Sequence, residues 1–173
     1  VTLNDRLAAD LDSSFTDFVR AHQDAVFATA LRLTACRTDA EDVAQETFVR
    51  AYRALAGYDV ERIRALACRP WLARIALNLC RNRARQNGRR PQTSELEDSV
   101  DPAPGPDVQA EQAAGAAALA SRLAALPDRY RVPVVLRHAY GLSYEEVAEA
   151  LGRPVGTVKA QVSRALQQLK ENP

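Results

Sequence analysis

The stretch "LSYEEVAEALGRPVGTVKAQVSRALQQLKE", Leu142 to Glu171, holds two helix starts and one helix stop within 30 residues. Ser143 followed by Glu146 is a capping box, in which each residue satisfies a backbone donor of the other at the start of a helix. Val147, Ala148 and Leu151 then supply a buried stripe, and Gly152 suits the left-handed residue that ends a helix. Pro154 is expected in the first turn of the next helix, where a missing N–H costs nothing. Two short helices joined by so tight a turn make a helix-turn-helix.

In its second helix, Val155, Val158, Val162, Ala165, Leu166 and Leu169 recur at helical spacing as an inner face. Thr157, Lys159, Gln161, Ser163 and Arg164 remain polar, and no acid lies between Ala150 and Lys170. A helix of this kind suits the major groove of DNA, with Lys159 and Arg164 toward phosphates or guanine edges and Gln161 toward bases.

The rest of the 173-residue chain also reads as helical. Alanine, leucine and arginine dominate, and no window alternates β-branched residues with period two. An all-α fold is expected, with helices over about Ser14–Thr34, Asp39–Leu55 and Trp71–Arg85, then "AEQAAGAAALASRLAAL" and "DRYRVPVVLRHAY" before the terminal pair. Thr38 and Glu41 form a capping box that marks the start of the second of these.

Net charge says little, since 23 basic residues face 22 acidic ones, but their distribution is uneven. From Arg62 to Arg90 there are nine arginines and no acid; from Pro91 to Gln112 there are six acids and no base. The acidic stretch contains "DPAPGP" and is read as a flexible linker. Two small helical domains follow, over 1–90 and 113–173, with the linker over 91–112.

The helix "WLARIALNLCRNRARQNGRR" turns Trp71, Leu72, Ile75, Ala76 and Leu79 inward. Arg74, Asn78, Arg81, Asn82 and Arg85 lie three or four apart on its polar side. A solvated face normally mixes both signs, whereas an acid-free stripe of arginines and amides suits phosphates and base edges. Tyr58 and Trp71 are candidates to stack on exposed bases.

In "RTDAEDVAQETFVRAYRAL", Arg37 to Leu55, apolar Ala40, Ala44, Phe48, Ala51 and Leu55 share one face, with Asp39, Asp42, Glu46 and Arg53 opposite. Asp39, Asp42 and Glu46 have no histidine or cysteine beside them, so a metal-dependent enzyme is disfavoured. Cys36, Cys68 and Cys80 form no close pair and are read as buried free thiols. No catalytic group, metal or cofactor is expected. Without a long apolar run or a signal-peptide pattern, the chain is expected to be soluble and cytoplasmic, with no membrane insertion.

With these motifs in order, the chain resembles the bacterial extracytoplasmic-function (ECF) sigma factors of RNA polymerase. The resemblance rests on "DAEDVAQETFVRAYRAL", "WLARIALNLCRNRARQNGRR" and "LPDRYRVPVVLRHAYGLSYEEVAEALGRPVGTVKAQVSRAL". It implies a helical domain two that opens the promoter −10 element and a domain four that binds the duplex −35 element. It further implies docking on core RNA polymerase through Asp39, Asp42, Gln45, Glu46 and Arg53. Single-stranded −10 DNA would be held by Tyr58, Arg74, Asn78, Arg81, Asn82 and Arg85, and the −35 element by Thr157, Lys159, Gln161, Ser163 and Arg164. It also implies a separate anti-sigma partner, and a linker that threads toward the polymerase active-site channel. The family often has Asp where Asn82 stands and a Ser-Arg pair where Ala160 and Gln161 stand. A free-standing operator-binding regulator is the competing class, but it would need a dimer or ligand domain where this chain carries acidic and arginine-rich surfaces.

Overall fold

The computed structural model describes residues 2–89 and 108–171, all organised around α-helices with no strand among them. The elements are α1 (Leu3–Ala9), α2 (Leu11–Thr34), α3 (Arg37–Ala56), α4 (Val60–Ala65), α5 (Cys68–Arg89), α6 (Val108–Ala125), α7 (Asp128–His138), α8 (Tyr144–Leu151) and α9 (Val155–Glu171).

The first half is built on α2, α3 and α5, which pack pairwise along their lengths. Phe18, Val26, Ala30, Ala40, Ala51, Leu55, Leu72 and Ala76 are buried where the three meet. The α2–α3 turn passes through Ala35 in the left-handed region (φ 54°), with its N–H bonded to the Leu31 carbonyl at 2.9 Å. The expected capping box at Thr38 is absent. The helix begins earlier, at Arg37, with Cys36 as an N-cap that makes no side-chain bond. Glu41 instead pairs with Arg37 one turn back at 2.9 Å, because Thr38 already lies inside the first turn.

Two helices are shorter than the windows that periodicity resolves. Thr2 and Asp5 form a capping box that starts α1, and Asp59 caps α4 by accepting from the Arg62 N–H at 2.7 Å. Both pack against each other through Leu7, Ile63 and Leu66.

In the second half, Tyr130, Val135, Leu136, Leu142, Val147, Val158, Val162 and Ala165 form the centre of α7, α8 and α9. The capping box of Ser143 and Glu146 is present, Gly152 adopts φ 61°, and the Arg153 N–H closes the turn onto the Ala148 carbonyl at 3.0 Å. Pro154 stands just before α9 rather than in its first turn, its carbonyl accepting from Val158 at 3.1 Å. Leu166, expected on the inner face, is 37% exposed because it sits on the rim of an apolar cleft with Leu119 and Leu169. The acidic segment falls mostly in residues 90–107, outside the described residues, while Val108–Gln112 at its end are helical within α6. The thiols differ from expectation in one case: Cys80 is buried and Cys68 partly so, but Cys36 is exposed at the α2–α3 turn.

Candidate nucleic-acid and polymerase interfaces

The acids of α3 face α5 across an open groove of about 420 Å³, lined by Asp42, Val43, Gln45, Glu46, Leu79 and Arg83 among others. Gln45 and Arg53 are exposed, and Glu46 is half-buried beside Arg50, whose Nε lies 2.7 Å from it. Arg83 bridges the two helices. Its Nε is 3.1 Å from Asp39 Oδ1, its terminal nitrogen pairs with Asp42, and Asn87 Nδ2 donates to Asp39 Oδ2 at 3.0 Å. Spacing leaves Arg83 out of the α5 polar stripe, and only cross-helix packing reveals what it touches.

Arg74, Asn78, Arg81, Asn82 and Arg85 are all exposed along α5. At 100° per residue the first three and Arg85 fall on one line. Asn82 lies to the side of that line and borders the acid-lined groove. Tyr58 is half-buried at the end of this surface, with its ring centroid 6.2 Å from that of Trp71 and the Arg62 guanidinium 3.7 Å above its face.

Thr157, Lys159, Ser163 and Arg164 are exposed on α9. Gln161 is half-buried and accepts from Arg153 at 3.1 Å, which fixes its amide. Lys159 Nζ stands 5.6 Å from the Tyr144 ring centroid, and the Arg164 guanidinium beside the Tyr130 hydroxyl lowers that phenol from its ordinary range. Thr157, Gln161 and Arg164, three or four apart, share one edge of the helix, while Lys159 and Ser163 share another.

The two halves touch where α5 meets α8 and where α2 meets α6 and α7, and arginines of the first donate to backbone oxygens of the second. Arg74 Nε donates to the Ala150 carbonyl at 3.2 Å and its terminal nitrogen to that of Glu149, both at the C-terminal end of α8. Arg69 donates to the Gly141 carbonyl and lies 3.5 Å from Glu146. Carbonyls at a helix end carry partial negative charge, so they satisfy a guanidinium much as phosphate oxygens do; that of Glu149 also accepts from the Gly152 N–H at 3.3 Å.

No cluster of histidine, cysteine and carboxylate side chains suited to a metal occurs among the described residues. No described helix is long and apolar enough to cross a membrane.

The order of the two halves matches known proteins. The Sigma-70 region 2 family covers residues 18–90 and the Sigma-70, region 4 family covers residues 116–169. The chain is 36% identical over 162 residues to the ECF RNA polymerase sigma factor SigE of Mycolicibacterium smegmatis, covering 91% of this chain and 61% of that one. It is 30% identical to the RNA polymerase sigma-H factor of Pseudomonas aeruginosa, covering 88% of this chain and 82% of the relative. Its fold matches the solved structure of CnrH in complex with the cytosolic domain of CnrY, with a TM-score of 0.74, 28% identity and coverage of 98% and 93% of the two chains. The chain belongs to the sigma-70 family, within its ECF class. That class consists of promoter-recognising transcription-initiation factors.

Proposed function

We propose that this chain acts in the cytoplasm as a non-catalytic specificity subunit, which binds core RNA polymerase and directs it to promoters with a −35 and a −10 element. The observation that carries this reading is the separation of charge. Asp39, Asp42 and Glu46 share one side of α3, whereas the exposed line of α5 and both polar edges of α9 present bases, amides and hydroxyls without an acid. Asp39, Asp42, Gln45, Glu46 and Arg53 are assigned to the polymerase; complementary charge at such a face mainly steers and orients docking. Tyr58, Arg74, Asn78, Arg81, Asn82 and Arg85 are assigned to opened −10 DNA, where extruding a base costs a few kcal/mol that stacking and phosphate contacts must offset. Thr157, Lys159, Gln161, Ser163 and Arg164 are assigned to the −35 duplex.

Domain two spans 1–90 in this assignment, an acidic linker 91–112, and domain four 113–173. Engagement of Arg74 by α8 means that the halves must part before that guanidinium meets a phosphate. A separate anti-sigma protein is assigned as regulator, as the family resemblance implies; the similar CnrH is solved in complex with the cytosolic domain of CnrY. Gel filtration of the chain with core polymerase, followed by run-off transcription, tests the proposal. Co-elution with promoter-dependent transcripts is expected. Tight duplex binding without core binding would instead identify an operator-binding regulator.

A further inference from the structure

The amide of Asn4 sits where three backbone oxygens converge. Its Nδ2 lies 3.1 Å from the Ile63 carbonyl, 3.3 Å from that of Arg64 and 2.9 Å from that of Leu66. These carbonyls close α4, a helix of six residues; that of Ile63 also accepts from the Leu66 N–H at 3.2 Å, and helix ends leave such oxygens short of helical partners. On its other side, Asn4 Oδ1 accepts from the Cys68 thiol at 3.2 Å, at the first residue of α5. Asn4 therefore acts as a C-cap supplied from a distant helix, and its oxygen ties that cap to the start of the arginine-bearing helix.

The rest of α1 holds the same joint. Leu7 and Ile63 are 1% and 5% exposed, and Asp5, whose carboxyl is lowered by its bonds to Thr2, stands 3.6 Å from Arg64. What is held is the approach to the −10 surface. The α4 segment carries Arg62 over the ring of Tyr58, and Tyr58 in turn packs toward Trp71 at the start of α5. A helix this short has little cooperative stability of its own, so its end must be fixed from outside. The Sigma-70 region 2 match begins at residue 18, beyond α1.

We infer that Asn4 is a positioning residue for −10 recognition: by capping α4 from α1 it sets the placement of Tyr58, Arg62 and Trp71 against an unpaired base. Asn4 touches no DNA in this role. The inference rests on the assignment of Tyr58 and α5 to the −10 element. Glutamine keeps the donors of asparagine on a longer stem, whereas alanine removes them.

The test uses the full chain bound to core polymerase. Sequences are selected in parallel from a single-stranded pool randomised over six positions and from a randomised duplex pool. Asn4→Ala is expected to reduce enrichment of the preferred single-stranded bases by roughly 3- to 10-fold, the scale of one or two lost hydrogen bonds. Its duplex selection and core binding stay at the wild-type level, and Asn4→Gln restores part of the single-stranded preference. Unchanged single-stranded preferences in Asn4→Ala overturn the inference, and so does an equal loss in both pools, which marks a merely structural role. A melting curve for each variant, with Asn4→Gln as the milder change, separates specificity from folding. If the wild-type complex enriches no single-stranded sequence, the −10 assignment falls and this inference with it.

Discussion

Arg83 of α5 reaches Asp39 of α3 with its Nε 3.1 Å from the carboxylate, and its terminal nitrogen meets Asp42. The acidic face proposed to meet polymerase is thus partly neutralised from within, and Asp42, with 55% of its side chain exposed, is its most accessible member in this cluster. Exposed pairs of this kind contribute about 1 kcal/mol or less to stability. Asp42→Arg is expected to retain its helical circular dichroism while lowering affinity for core polymerase by about tenfold or more, because like charges then face each other at the docking surface. Arg83→Ala acts in the opposite sense and raises the association rate at low salt. Surface plasmon resonance against immobilised core measures both, and undiminished affinity of Asp42→Arg would remove that residue from the interface.

Lys159 and Arg164 stand on different edges of α9, so each is expected to contact its own phosphate. Replacing either with alanine lowers −35 affinity and reduces the slope of log affinity against log salt by about one contact. Fluorescence anisotropy across a salt series checks this; an unchanged slope would show that the side chain meets no phosphate.

Ala35 holds the α2–α3 turn at φ 54°, the one non-glycine residue with positive φ among the described residues. A side chain costs about 1–2 kcal/mol there, and the greater freedom of glycine in the unfolded chain offsets part of the gain when glycine replaces it. Ala35→Gly is expected to raise stability by about 0.5–1 kcal/mol in urea denaturation. A loss of stability would mean that the Cβ makes packing contacts worth more than the strain.

Several features of this fold were legible because they depend on neighbours in sequence. Ser143, Glu146 and Gly152 act within one helix and its turn, and the apolar spacings of α3 and α5 predict which side is buried. The capping box at Thr38 failed for a reason equally local: Arg37 already has helical geometry, so Thr38 has no free first-turn position to cap. What could not be read depends on partners distant in the chain. Asn4 meets Ile63, Arg83 meets Asp39, and Arg74 meets Ala150, and none of these pairs follows from periodicity. The assigned residues were chosen from charge and spacing; their internal partners could not be read that way.

His22 packs against Phe18 at a ring distance of 4.8 Å, and burial, with Arg69 nearby as a smaller cause, pushes its imidazole below the usual 6.5. The folded state therefore binds this proton less readily than the unfolded chain. The contribution of neutral His22 is fully present above about 6.5 and is lost as pH falls from there through the lowered folded value. His22→Gln is expected to flatten the pH dependence of urea midpoints below that point. An identical pH profile in the variant would show that other groups govern acid sensitivity.

If this chain gives core polymerase its choice of promoter, the positions of transcript starts depend on its presence. Core enzyme alone and core enzyme with this protein are supplied with fragmented genomic DNA from the source bacterium, and the 5′ ends of the transcripts are sequenced. New start sites are expected that appear only with the protein and share two upstream elements at fixed spacing, the nearer one altered in preference by substitutions at Asn78. Identical starts with and without the protein, under conditions where it is bound to core, would contradict it.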